Sequence, residues 1–115
     1  MRYSPSQVFA VILKKKRCSK LKADSMGIHR TFYELRQKNP EIMSQFQFVK
    51  KGNPFSITLE EVLTWFQLVG ALKQFNPYYT EFSVDKDKVE ELLPEDMNGF
   101  DDFKGLEEFD QCVIA

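Results

Sequence analysis

Apolar residues near the start of the chain are spaced as on one face of a helix, which we predict from Pro5 to about Lys16. Ser4 precedes this segment as an N-cap, Pro5 suits the first helical position, and Gln7 completes a capping box. The inward face then holds Val8, Phe9, Ile12 and Leu13.

Two longer segments also predict amphipathic helices. In Ile28–Lys38, Ile28, Phe32 and Leu35 share one face, and Asn39-Pro40 ends the helix. A later helix starts at a capping box over Thr58–Glu61 and ends at Gly70. Its apolar stripe is Leu59, Val62, Leu63, Phe66 and Val69.

Shorter elements connect these helices. Ser19–Asp24 predicts a short helix, and Met26-Gly27-Ile28 a turn in which glycine adopts a positive φ. Asp85 is expected to cap another short helix, which Pro94 ends.

Period-two alternation predicts strands in two places. Phe46 and Phe48 share a face within Gln45–Lys50, and Phe55–Ile57 returns after a turn. Leu72–Phe75 and Tyr78–Val84 flank Asn76-Pro77 as a second hairpin. We therefore expect an α+β fold with roughly four helices and two short hairpins.

Composition narrows the function. The chain has 115 residues, enough for one domain, and no apolar run near the length of a membrane span. We expect no signal peptide. Cys18 and Cys112 lie at opposite ends and predict no disulfide framework, which favours a reducing, cytoplasmic setting. With His29 as the single histidine and no glycine-rich loop, we predict a non-enzymatic protein without cofactor or metal.

Charge is divided unevenly along the chain. Residues 1–52 hold 12 Lys and Arg against 3 Asp and Glu, a net charge of +9. Residues 53–115 hold 4 against 14, a net charge of −10. This asymmetry indicates a surface for a polyanion, or two halves that fold against each other.

Residues 19–37 resemble a helix-turn-helix, with a small Ala23 followed at the required distance by Gly27. The resemblance implies that the second helix enters the major groove. The groove-facing candidates are then His29, Arg30, Thr31, Tyr33, Glu34, Arg36 and Gln37. The alternative is an ordinary helical hairpin with a basic exposed face.

Phe46–Val84 resembles a winged helix-turn-helix domain. It is similar to Panacea-type antitoxin domains and to middle components of three-component ABC defence systems. The shared features are a strand, a Gly-Pro-like turn followed by Ser56, an amphipathic helix, an apolar-Gly-apolar turn at Gly70, and a closing hairpin. This resemblance implies a winged helix, a fold that hosts both DNA readers and protein adaptors.

The two resemblances place the groove-reading helix differently. Glu60 and Glu61 on the later helix would repel phosphates, so electrostatics favours the earlier one. Phosphate contacts are expected from the basic run and from a wing tip, or else the run is a solvated helix end. These candidates are Lys14, Lys15, Lys16, Arg17, Lys20, Lys50 and Lys51.

Residues 94–115 form an acidic segment that we predict to be separate from a winged-helix domain over 1–93. Its spaced apolar residues are candidates for partner binding: Phe100, Phe103, Leu106 and Phe109. The segment folds back to compete with DNA, docks a partner, or is a disordered tail or a last helix that closes the core.

Two functions follow from these patterns. The first is a regulator or antitoxin-like protein that binds double-stranded DNA through its basic half. The alternative is a winged-helix adaptor that binds another protein in a bacterial defence or toxin–antitoxin assembly. A homodimer is compatible with either, and no membrane partner is expected.

Overall fold

The structure, a computed structural model, describes residues 3–74 and 80–114. Four α-helices lie in this part of the chain: α1 (Pro5–Lys15), α2 (Ser25–Lys38), α3 (Ile57–Leu68) and α4 (Lys86–Leu92). The strands are β1 (Cys18–Lys22), β2 (Val49–Lys51), β3 (Asn53–Phe55), β4 (Leu72–Gln74), β5 (Glu81–Val84) and β6 (Cys112–Ile114). Single 3₁₀ turns occur at Asn98–Phe100 and Leu106–Glu108.

Helix α1 is the centre of the core. Its predicted start is confirmed, because Ser4 accepts a hydrogen bond from the Gln7 N–H and the Gln7 side chain accepts one from the Ser4 N–H. Every residue from Val8 to Leu13 is buried, so the helix is enclosed on more than its predicted face. The Phe9 ring lies 5.5 Å from that of Phe32 in α2 and 4.9 Å from that of Phe66 in α3. These ring contacts join the three long helices.

Two antiparallel sheets accompany the helices. The larger has the strand order β4-β5-β1-β6, and β2 and β3 form a separate hairpin. The predicted pairing of β4 with β5 is confirmed, with Leu72 opposite Val84. The turn predicted at Asn76-Pro77 lies outside the described residues.

The helix predicted over Ser19–Asp24 is wrong, since this segment contains strand β1. Leu21 pairs with Phe82 of β5 on one side and with Cys112 of β6 on the other. Local residue preferences allow a helix here, but pairing with two strands far along the chain decides the conformation. The helix-turn-helix expected over residues 19–37 therefore lacks its first helix.

The turn predicted at Met26–Ile28 is also wrong, because α2 has already begun at Ser25. Asp24 is the N-cap, and its carboxylate accepts a hydrogen bond from the Gly27 N–H. Gly27 is helical, whereas Gly52 and Gly70 have positive φ. The predicted end at Asn39 and the buried face of α2 are confirmed.

In the middle of the chain, the hairpin and helix α3 begin at residues other than those predicted. The first hairpin is shorter and begins later, at Val49. The N-cap of α3 lies two residues before the predicted one, because Ser56 rather than Thr58 accepts a hydrogen bond, from the Leu59 N–H. Gly70 ends this helix as predicted, at a φ of +82°.

The acidic segment contributes to the same core as the helices. Phe100 and Phe109 are fully buried, and the Phe109 ring lies 5.8 Å from that of Phe32. Cys18 of β1 and Cys112 of β6 form a disulfide across 94 residues of sequence. The expectation that the cysteines stay apart is wrong, and the argument for a reducing compartment that used it no longer holds.

Candidate functional site

The outward face of α3 is unusually apolar. Ile57 is 67% exposed, Trp65 48% and Leu68 75%. They are spaced so that they lie along one side of the helix, opposite the buried Leu59, Val62, Leu63 and Phe66. Glu61 and Thr64 are exposed between them on the same side. A surface helix normally carries polar residues on its solvent side, so three large apolar residues exposed on one side of α3 mark a candidate interaction site.

Strand β3 extends this face. Phe55 leads into α3 through Ser56 and is 43% exposed. Its cross-strand partner is Val49, which is 61% exposed. Directly opposite residues of an antiparallel pair project to the same side of the hairpin. We call the combined surface the α3 face; its residues are Phe55, Ile57, Glu60, Glu61, Thr64, Trp65 and Leu68. They line a shallow depression of about 410 Å³ that is open to solvent.

His29 of α2 fixes the start of the α3 face from below. Its ring is buried and stacks on that of Phe55, with centroids 4.6 Å apart and planes 14° from parallel. Nδ1 accepts a hydrogen bond from the Ser56 N–H at 3.0 Å. Because Nδ1 is an acceptor, Nε2 carries the hydrogen and donates to Glu60 Oε1 at 3.0 Å.

The charge of the α3 face is negative. Glu60 accepts from His29 and from the Ser25 hydroxyl, which holds its carboxylate at the edge of the face. Glu61 is exposed one residue further along. The residues that line the depression include these two glutamates and no lysine or arginine. The surface therefore combines exposed apolar residues with two carboxylates, Glu60 at its edge and Glu61 between Ile57 and Trp65.

Two of the residues predicted to read DNA bases are buried, and those assignments are wrong. His29 makes the contacts just described, and the Thr31 hydroxyl donates to the Gly27 carbonyl within α2. Arg30 and Gln37 are exposed on α2 as a groove-facing role requires, whereas Tyr33 and Arg36 are half-buried. Of the predicted groove-facing residues, His29 and Thr31 therefore have structural roles inside the protein, whereas Arg30 and Gln37 are at its surface.

One of the two β2 lysines predicted to contact phosphates lies against α2. Lys50 and Lys51 are exposed on β2, and Lys50 Nζ lies 5.0 Å from the centre of the Tyr33 ring. This contact brings Lys50 against α2 one turn from Arg30, and these two cations form the basic surface of α2 and the hairpin. Lys51, the next residue of the strand, projects from the other side of the hairpin.

The basic run at the end of α1 partly faces the acidic half of the chain. Lys14 forms an ion pair with Glu90 of α4, and Lys38 of α2 pairs with Glu108 at 2.5 Å. Lys15 and Arg17 are exposed, and Lys16 and Lys20 are half-buried. Part of the basic charge therefore forms ion pairs with acidic residues of the same chain, at its surface.

The apolar residues proposed to bind a partner through the acidic segment divide in the same way. Phe100 and Phe109 are in the core, so their assignment as exposed anchors is wrong, and Phe103 and Leu106 are half-buried against it. None of the outward residues of α3 was among the predicted site residues. Their signal was the pair Trp65 and Leu68, which lie off the inward stripe.

Comparisons with protein-family models, with curated proteins and with solved structures found no match. None of the helices in the described ranges combines the length and the hydrophobicity needed to cross a bilayer.

Proposed function

We propose that the chain is a winged-helix domain and that it works by docking another protein on the α3 face. The topology supports the first part. Helix α3 leads directly into the antiparallel hairpin β4–β5, and β1, which follows α1, pairs with β5. In this assignment α3 is the helix that precedes the wing.

The docking proposal rests on the α3 face, which exposes large apolar side chains together with Glu60 and Glu61. The helix that would enter a DNA groove in a winged helix presents Ile57, Trp65 and Leu68 beside two carboxylates. Phosphates are repelled by such a surface, because DNA binding relies on cations that replace counterions. Exposed aromatic and aliphatic anchors are instead typical of protein interfaces.

The negative charge of Glu60 and Glu61 favours a partner with basic residues. An amphipathic helix with apolar anchors and flanking Lys or Arg would bury Trp65 and Leu68 and place its cations near Glu60 and Glu61. The resemblance to antitoxin domains and to defence-system components agrees with an adaptor that holds another protein.

A model peptide tests this proposal. A cationic amphipathic helix of leucine and lysine, titrated against the full chain, is expected to bind saturably and to change the fluorescence of Trp65. A matched helix in which glutamate replaces lysine should bind more weakly. Leu68→Ser should reduce the affinity for the cationic peptide about tenfold, the loss expected for a buried anchor.

Val113→Ser is the matched control, since Val113 is an exposed apolar residue of β6 outside the α3 face. Equal binding of the two peptides, or equal loss with both variants, would show non-specific adhesion to apolar surface. Absence of binding would reject a cationic amphipathic partner.

The basic surface of α2 and the β2–β3 hairpin favours a second function, binding of double-stranded DNA. We infer this candidate from the exposed Arg30 and from the position of Lys50 above Tyr33. Anisotropy of a labelled random duplex at two salt concentrations tests it. Arg30→Ala with Lys50→Ala should weaken salt-sensitive binding, whereas Lys86→Ala with Lys88→Ala, which removes equal charge from α4, should not.

A further inference from the structure

A second concave site lies on another part of the molecule, between the end of α1 and helix α4. It is a cavity of about 250 Å³ that shares no lining residue with the α3 face. Buried side chains form its floor, namely Leu13, Cys18 and Val89. Its size suits a molecule smaller than a typical cofactor.

The rim of this cavity is cationic. Lys14, Arg17 and Lys86 lie around it, with Glu90 as the one carboxylate among the lining residues. Glu90 is paired with Lys14. Arg17 and Lys86 therefore leave the rim with a net positive charge next to an apolar floor, which is the arrangement that attracts an anion with an apolar body.

The backbone of Arg17 is strained, which is a separate observation at the same place. Its φ is +51°, in the left-handed region, and it follows Lys16, the C-cap of α1. Glycine is the usual residue there, because a side chain makes this conformation costly. In this protein the strained position is occupied by arginine, whose cationic side chain lines the cavity. Strained backbone conformations are often found at binding sites.

We propose that this cavity binds a small anionic amphiphile. Its anionic head would lie between Arg17 and Lys86, and its short apolar body would pack on Leu13, Cys18 and Val89. The site is independent of the docking function, because none of its residues belongs to the α3 face.

Octanoate is the test probe, followed by amide chemical shifts of the full chain. Saturable shifts are expected in residues 13–18 and 84–90. Acetate has the head without the body and octanol the body without the head, so both should bind at least about tenfold more weakly. Arg17→Gly should weaken octanoate binding by a similar factor while the protein remains folded.

Lys15→Ala is the matched control, because it removes the same charge from a neighbouring residue that does not line the cavity. Its octanoate affinity should stay near that of the original chain. The proposal is overturned by octanol binding as tightly as octanoate, by equal losses in the two variants, by shifts confined to the α3 face, or by the absence of saturable shifts.

Discussion

His29 Nδ1 accepts a hydrogen bond from the backbone N–H of Ser56, and the Ser56 hydroxyl in turn caps α3 by accepting from the Leu59 N–H. The buried histidine of α2 thus fixes the residue at which α3 begins. The same imidazole also fixes the position of Phe55, the first residue of the α3 face, because the two rings stack.

Replacing His29 tests this linkage. His29→Ala removes the acceptor and leaves the buried Ser56 N–H without its partner, so the free energy of unfolding should fall by about 1–3 kcal/mol. Urea denaturation measures it. Arg30→Ala, at the exposed neighbouring position, should change stability by less than about 0.5 kcal/mol. Equal midpoints for His29→Ala and the original chain would contradict the assigned role.

Asn39 joins the end of α2 to the acidic segment. Its Nδ2 donates to the carbonyls of Leu35 and Lys104, and its Oδ1 accepts from the Lys104 N–H. Asn39→Ala should lower the free energy of unfolding by about 1–3 kcal/mol. Asn39→Asp should cost at least as much, because a carboxylate oxygen would face two carbonyl oxygens. An Asn39→Asp variant as stable as the original in urea would refute this account.

The disulfide should contribute strongly to stability, because Cys18 and Cys112 are 94 positions apart in the sequence. Replacing both cysteines by alanine is expected to lower the free energy of unfolding by about 2–5 kcal/mol. Denaturation with and without a thiol reductant provides the control, since the reductant should lower the midpoint of the original chain only. A midpoint insensitive to reductant in both proteins would argue that the bond does not form.

Trp65 reports on the α3 face, because it is the single tryptophan of the chain and is half exposed. In the free protein its fluorescence should be quenched by acrylamide. The cationic amphipathic peptide should protect it, since a docked helix covers the ring. Strong protection in the free protein would mean that this face is already covered, for example by a second copy.

Arg17→Gly should raise the free energy of unfolding by about 1 kcal/mol, because glycine relieves the left-handed backbone. Arg17→Ala is the matched variant: it also removes the cation but keeps the Cβ, so it should show none of this gain. Thermal unfolding compares the two. Equal stability of the glycine and alanine variants would show that the conformation carries no strain.

Three helix ends were predicted correctly, because their signals are local. Ser4 and Asp85 act as the N-caps expected of them, and Gly70 ends α3 as expected, with a positive φ. In each case the decisive hydrogen bond or dihedral angle involves residues within one turn. Such signals are contained in a short stretch of sequence.

Strand β1 and the role of His29 were not predictable in the same way. Leu21 is in a strand because Phe82 and Cys112 pair with it from distant parts of the chain. His29 is equally suited by its chemistry to a base edge or to a buried backbone donor, and only the packing of β3 on α2 decides. The α3 face escaped notice because periodicity identifies the buried side of a helix and says little about exposed apolar residues.

Pairing of β1 with β6 affects how the chain folds as it is synthesised. At about 5–20 residues per second, β6 leaves the ribosome roughly 5–20 s after β1, because 94 residues separate Cys18 from Cys112. Until β5 is synthesised neither edge of β1 has a strand beside it, and one edge stays open until β6 follows. Lys20 and Lys22 place positive charge on β1, and such charges hinder an open edge from pairing with another chain. We therefore expect Lys20 and Lys22 to protect the growing sheet from pairing with other chains until its last strand has been synthesised.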